Sequence, residues 1–492
     1  MPRFLLLLLL PVLALAADTS ALWGAAGEAW DPQGRLPDVR RAGYRDGQVP
    51  PVVPVVTDVR AHGAVGDGVA DDTAAFVAAL AAATPPGAVL VPAGRYVITD
   101  RLLLRRSGVV LRGAGPSATT LVFPRDLTAL KPQPVKNRGG QPTSQYSWSG
   151  GFLTITAFSG DLPPVDITAP AEPGEREVTV AEATGLQVGQ QVEVRVKDDE
   201  AFGFTRWVYA DDPGSLAKLN RQAGRMIATV AAIAGNQVRL DRPLRFPLRT
   251  AWTPRLIPTT ARVREVGIED LACEFPATPY GGHFQETGFN AIATERSVDC
   301  WIRNIEIRNA ESGMFINGDH TTVSDVVLTS AKPPDRKGNT GHHGISLGGS
   351  DLLVTRFAIR QCFVHDLSVQ NAICSFNVVS AGSAQDLTLD HHKEGPWANV
   401  FTDLDAGAGT RLWVSGGGPD IGRHAGRQST FWNIRARKSL EPPAANWAPP
   451  LITLVGVTGG AAERSPTGRW IEPLADVHPA DLHRAQVTRT AP

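Results

Sequence analysis

The sequence predicts an all-β solenoid of stacked coils, with a helix near its start and a small β domain inserted into its body. Three observations predict it. A short phrase of the form apolar-X-Asp-Leu recurs from Ile268 onward. Short Val-, Leu- and Ile-rich runs broken by Gly and Pro fill residues 55 to 171, and from Glu172 to Pro254 that rhythm gives way to alternating strands. The chain has 492 residues, 42% hydrophobic and 20% charged, enough to bury a large core without a partner. Such a length would ordinarily mean more than one domain, but a solenoid absorbs several hundred residues as one unit.

Taken in order, Met1 to Ala16 combines Arg3, an apolar run from Phe4 and small residues at Ala14 and Ala16, which reads as a signal peptide. The mature chain is therefore expected to be secreted or periplasmic. No later run approaches the ~20 apolar residues of a membrane span, and no Cys adjoins the cleavage site to carry a lipid. Residues 17–54 hold Pro and Gly without a period and are expected to lie as an extended arm. From Val55 short strands alternate with turns. Ala74 to Ala83 reads as a helix, with Asp71 or Asp72 as its cap and Phe76, Val77 and Leu80 as its apolar stripe.

This stretch carries a resemblance. Gly63 to Phe76 (GAVGDGVADDTAAF), Val89 to Ile98 (VLVPAGRYVI) and Val109 to Gly115 (VVLRGAG) resemble the start of pectate-lyase-superfamily proteins. The resemblance implies a right-handed parallel β-helix, an N-terminal capping helix to which Asp67, Asp71 and Asp72 belong, and a polysaccharide as substrate. The superfamily includes polygalacturonases, pectate lyases, alginate-type lyases and phage tailspikes, so it implies no single reaction; the tailspikes leave monomer and homotrimer both open.

The inserted β domain, 172–254, has a Gly-Asn turn at Gly235 and Asn236. Its Phe202 to Tyr209 segment either anchors the insertion or brings Trp207 over a cleft. The main solenoid, 255–436, repeats Asp or Asn at 270, 304, 325, 366, 386, 403 and 433, spacings that fit a basal coil near 20 residues lengthened by loops. These residues, and His365 beside one of them, read as turn scaffolding. Beyond Arg437 the chain turns Pro-rich and reads as a terminal cap or tail, 437–492.

Segments that follow each repeat are expected to emerge along one edge, which makes that edge the candidate cleft. It presents His283, Glu286 and Glu311, then Lys332, Arg336, Lys337, His342 and His343 on a long loop, then His391, His392, Lys393 and Glu394, and finally Arg411, with Trp397 and Trp413 for stacking. Imidazole exchanges a proton near neutral pH. For a lyase on a uronic-acid polymer, Arg411, Lys332, Arg336 or Lys393 would neutralise the carboxylate, and His342, His343, His391 or His392 would move protons. For a hydrolase, the paired carboxylates would come from Glu286, Glu311, Asp390 and Glu394. A polysaccharide lyase is the favoured reading. A divalent metal held by the imidazoles and Asp390 is a further option, no cofactor being required, and a non-catalytic carbohydrate-binding protein is another.

With 48 basic and 49 acidic residues and a net charge of -1, the chain lacks the basic field that nucleic acid needs. Cys273, Cys300, Cys362 and Cys374 read as core thiols, with a Cys273–Cys300 disulfide as the alternative.

Overall fold

Apolar residues one coil apart are stacked into ladders, and these ladders are the core. In the computed structural model, Val89, Leu111, Ile268, Ile302, Val323, Val354, Val379, Phe401, Phe431, Leu454 and Ile471 stand in register on successive parallel strands, all buried. Residues 18–158, 160, 162–457 and 459–489 are described; the expected signal peptide, 1–16, lies outside them. No helix among the described residues is long and apolar enough to cross a membrane.

A second parallel sheet closes the coils. Its strands run in chain order: β1 (Leu102–Leu104), β2 (Leu153–Ile155), β3 (Asn290–Thr294), β4 (Ser312–Ile316), β5 (Gly341–Leu347), β6 (Phe363–Val369) and β7 (Leu389–His391). Leu153, Ile292, Met314, Ile345, Leu367 and Leu389 form its inward ladder. The result is a right-handed parallel β-helix.

Helix α1 (Thr73–Ala82) closes the N-terminal end, burying Phe76 against Tyr96 with ring centroids 5.4 Å apart. The acidic residues before it are structural. Asp71 accepts from the Thr73 amide and hydroxyl and from Thr99, and Asp67 from the Val69 and Ala70 amides. Asp72 does not cap the helix with its side chain; it ties down the preceding loop through the amides of Val65 and Gly66.

The recurrent Asp and Asn have a geometric cause. Asp270, Asn304, Asp325, Asp403 and Asn433 each adopt left-handed φ between 52° and 61° where the coil turns a corner, a conformation Asn and Asp tolerate better than other side chains. In two coils Arg356 and Ala381 hold that position instead, with φ of 51° and 50°. Two matching phrases are not corners. Val364 to Leu367 lies within β6, so His365, read as scaffolding, belongs to the other face; Asp386 lacks the left-handed φ. The coils also continue past Arg437, since Thr453–Val455 pairs with Thr430–Arg435 and then with Trp470–Glu472.

The insertion is a six-stranded antiparallel sheet with strands from Val165–Asp166 to Arg255–Pro258. It docks through Arg242 and Arg245, which bond the buried carboxylate of Asp351 at 3.2 and 2.6 Å. Trp207 packs edge-on against Trp397 at 5.1 Å and under the Arg427 guanidinium at 4.5 Å, so it anchors the insertion. Cys273, Cys300 and Cys374 are thiols buried in the core, where burial pushes each up to about 12.

Candidate active site

Register carries the site. His343 on β5 stands directly opposite His365 on β6, and Ser346, Ser368 and Asp390 form a polar ladder across β5, β6 and β7. A cleft of about 620 Å³ opens over this face. Its wall holds five imidazoles, His283, His342, His343, His365 and His392, with the aromatic rings of Trp148, Phe284 and Phe315. The hairpin of Pro134–Lys136 and Pro142–Ser144 brings Lys136 and Arg138 to the rim, and Gly416 to Gly418 close the far side. Among the described residues Glu394 is the one acid in that wall; it pairs with Arg138 at 2.7 Å.

The imidazoles touch one another. Ring centroids lie 4.0 Å apart for His342 and His343, 5.2 Å for His343 and His365, 4.5 Å for His283 and His342, and 5.5 Å for His365 and His392. Behind them sits Asp390, fully buried. Its Oδ2 lies 3.1 Å from His392 Nδ1 and 3.3 Å from His365 Nδ1 and accepts from the Ser368 hydroxyl, while Oδ1 accepts from the Gly416 amide at 2.7 Å. Ser368 in turn meets His343 Nδ1 at 3.3 Å. Glu286 stands behind His342, its Oε1 3.2 Å from Nδ1 and bonded by the Tyr280 hydroxyl.

Burial and crowding set the charges. Desolvation, helped by neighbouring rings, holds His342 and His343 well below the usual imidazole range and His283 at about 4. Desolvation also lowers His365, against Asp390. At His392 burial works the same way, but Asp390 outweighs it and the net shift is upward. Burial would raise Asp390, yet His365 and His392 hold it far below the carboxylate range. Glu286, buried without a cation on it, is pushed up to about 7.

The structure thus brings together His283, His342, His343, His392 and Glu394 from the sequence expectation at the cleft wall, sets Glu286 behind His342, and leaves the others elsewhere. His391 occupies the inward register of Val369 and Leu347 and packs among Phe401, Phe431 and Trp447, so it is a core residue. Glu311 accepts three backbone amides, from Thr287, Gly288 and Phe289, and acts as a loop cap. Arg411 is committed to Asp366 and to the carbonyls of Phe363 and Asp386. Trp397 is buried under the insertion, and Trp413 packs on Phe431 and Trp447. Lys332 is buried beside Phe289; Arg336 and Lys337 are exposed on their loop, and Lys393 lies against Gly417 outside the cleft wall. Sequence reasoning missed His365, Asp390 as an orienting group, Ser368 and Arg138. Two-residue alternation within β6 and β7, once their limits are fixed, finds Ser368 and Asp390; His365 shares the parity of the inward Phe363, Leu367 and Val369 and is not found that way.

Stacked parallel coils with a polar cleft along one sheet define a parallel β-helix protein. Its first coils are similar in sequence to pectate-lyase-like proteins of this kind. Residues 56–156 match the family described as rhamnogalacturonase A/epimerase, pectate lyase-like. The mannuronan C5-epimerases AlgE5 and AlgE2 of Azotobacter vinelandii are each 36% identical over 104 residues, 19% of this chain; the match spans 10% of their length. Similar solved structures include the Pseudomonas phage phi297 tailspike gp61, at 13% identity and TM-score 0.36, covering 84% of this chain and 82% of that one. The Yersinia enterocolitica family 28 exopolygalacturonase is similar at 10% identity and TM-score 0.35, covering 87% and 79%.

Proposed function

We propose that this protein is an enzyme that acts on a uronic-acid-containing polysaccharide by removing the proton α to the uronate carboxyl, with β-elimination as the outcome. The observation that carries the reading is the composition of the cleft wall: five imidazoles and two basic rim residues against one carboxylate. Hydrolysis in the usual manner needs two carboxylates flanking the bond. Here Asp390 is turned to the rings, Glu286 lies behind His342, and Glu394 is paired with Arg138.

Elimination needs a cation on the carboxylate, a base for the C5 proton and an acid for the departing oxygen. Arg138 and Lys136 at the rim supply positive charge. His392, half-buried and oriented at Nδ1 by Asp390, offers its other nitrogen to the C5 proton and, once protonated, gives that proton to the leaving oxygen; His343, steadied by Ser368, lines the cleft beside it as a neutral ring. Trp148 and Phe284 give faces on which a sugar ring stacks. The match to mannuronan C5-epimerases favours a second outcome of the same first step, return of the proton to the opposite face.

The test is a panel of acidic and neutral polysaccharides followed by absorbance of the unsaturated uronate, reducing ends and deuterium uptake from solvent at C5. Absorbance rising with reducing ends on a polyuronate is the expected result. Deuterium uptake without new ends would make the enzyme an epimerase, new ends without absorbance would make it a hydrolase, and binding without turnover would make it a carbohydrate-binding protein.

A further inference from the structure

We infer that His283, His342 and His365 form a three-histidine site for a divalent first-row transition metal ion such as zinc, with a further coordination position facing the cleft. One nitrogen from each of these rings lies within 4.8 Å of the others. Zinc–nitrogen bonds of ~2.1 Å place tetrahedral ligands about 3.4 Å apart, so closure needs movements of roughly an ångström, which His283 supplies from an exposed loop.

Two further observations point the same way. His365 is 4% exposed, and both of its ring nitrogens are buried without a protein hydrogen bond. A buried nitrogen left so is costly unless something occupies it. Moreover, a carboxylate stands close to each of the two buried rings, Asp390 3.3 Å from His365 Nδ1 and Glu286 3.2 Å from His342 Nδ1, neither aligned as a hydrogen bond. A small ring rotation on ligation would bring each carboxylate into a hydrogen bond of the kind that fixes the tautomer of a ligating imidazole and raises its basicity.

Chemistry selects the class of ion. Three imidazoles, with no thiol in the cleft wall and the carboxylates behind the rings, suit zinc or its first-row neighbours. Calcium would seek oxygen ligands. His365, Asp390 and His392 satisfy the same spacing, but the Asp390 oxygens are already taken by Ser368, His392 and the Gly416 amide, which makes Asp390 a positioning residue.

The site stands on its own geometry; its role rests on the proposed reaction, in which the ion would neutralise the uronate carboxylate while His392 keeps the proton transfer. Three protein ligands and an open position are the arrangement of catalytic zinc sites.

The experiment strips the full chain with a chelator, titrates it with Zn²⁺ by calorimetry, and repeats the titration with Co²⁺, following visible d–d absorption. One ion per chain is expected. His283→Ala, on an exposed loop and safe for folding, and His365→Ala should each weaken uptake at least 100-fold, Asp390→Asn about 10- to 100-fold, and His391→Phe not at all. Absence of saturable uptake overturns the inference, as does uptake unchanged in His283→Ala; loss in His392→Ala with retention in His283→Ala moves the ion to the other group and overturns the assignment. Uptake decides the site and polyuronate turnover decides the reaction: turnover without bound ion overturns the ion's role alone, and one bound ion without turnover upholds the site while overturning the reaction.

Discussion

Asp390, His391 and His392 follow one another in the chain and face opposite ways, because successive side chains of extended backbone alternate between core and surface. Asp390 and His392 face the cleft, and His391 faces Phe401 and Trp447. Replacing His392 by Gln should therefore lower turnover by about 10²- to 10⁴-fold, the usual worth of a positioned general base, with little change in thermal midpoint. His391→Phe should leave turnover intact and alter acid stability. Burial holds His391 at about 4 in the folded chain, against ~6.5 unfolded. Between those values the unfolded state binds the extra proton, so stability is lost as pH falls from about 6.5 to 4, by about 3 kcal/mol once the window is crossed. Urea unfolding at pH 7 and pH 5 should show the variant gaining on the parent as pH falls; a difference independent of pH would refute it. Gly416 is the tightest point in the cleft wall. A Cβ there would meet His392 Cε1 at 2.3 Å and Nδ1 at 2.6 Å, so Gly416→Ala should swing His392 off Asp390 and depress kcat more than it depresses the thermal midpoint.

The corner of each coil explains both what the sequence discloses about the fold and where it misleads. Asp or Asn at left-handed φ marks five corners, and the chemistry of those side chains makes the period readable without a structure. At Arg356 and Ala381 the corner persists without its marker, and at Asp366 the marker occurs without the corner. That coincidence made His365, which lies within β6, read as turn scaffolding. His342 and His343, expected on a long loop but held in β5, and His392 just beyond β7 were legible because they break the apolar pattern. Trp397 was not, since aromatic residues serve binding and packing alike and only the insertion folded over it decides between them. The last coils were hidden by prolines that fall between strands rather than in them. If left-handed φ alone is the demand at a corner, Ala381→Asn should stabilise the protein by about 0.5–1 kcal/mol, a part of the 1–2 kcal/mol that conformation costs, which the Asn side chain offsets by local hydrogen bonding. Chemical denaturation reads this directly, and a neutral or destabilising result would show that the corner requires packing as well.

At the scale of the whole molecule, the insertion is coupled to the cleft through two sets of contacts. On one side it is clamped to the solenoid by Arg242 and Arg245 on Asp351, with His320 Nε2 3.5 Å from the same carboxylate. On the other it holds the segment that follows the glycines of the cleft: Tyr209 donates to the Arg423 carbonyl at 2.9 Å, the Gly422 amide to Ser215 at 2.8 Å, the Lys218 amide to Asp420 at 2.8 Å and the Arg427 amide to Val208 at 2.9 Å. Loosening the clamp should then be felt at the cleft, though neither arginine touches it. Asp351→Asn leaves two buried guanidinium groups without their counter-charge, a loss of about 3–5 kcal/mol. Burial would raise Asp351, but the two arginines and His320 hold it well below the carboxylate range. A carboxylate lowered in this way contributes its full stabilisation above the unfolded value of about 3.9 and loses it only as pH falls through the folded value. Asp351 is thus insensitive to pH across the window in which His391 titrates, and His320, raised against burial by Asp351, keeps its full contribution below about 6.5 and loses it only as pH rises through its folded value, so the two effects separate in an acid titration. Hydrogen exchange on Asp351→Asn should show residues 209–222 and 416–427 losing protection together, with the first coils around Val89 and Leu111 unchanged. Loss confined to the insertion would instead mean that the cleft wall stands without it and that Glu394 and Gly416 are held by the solenoid alone.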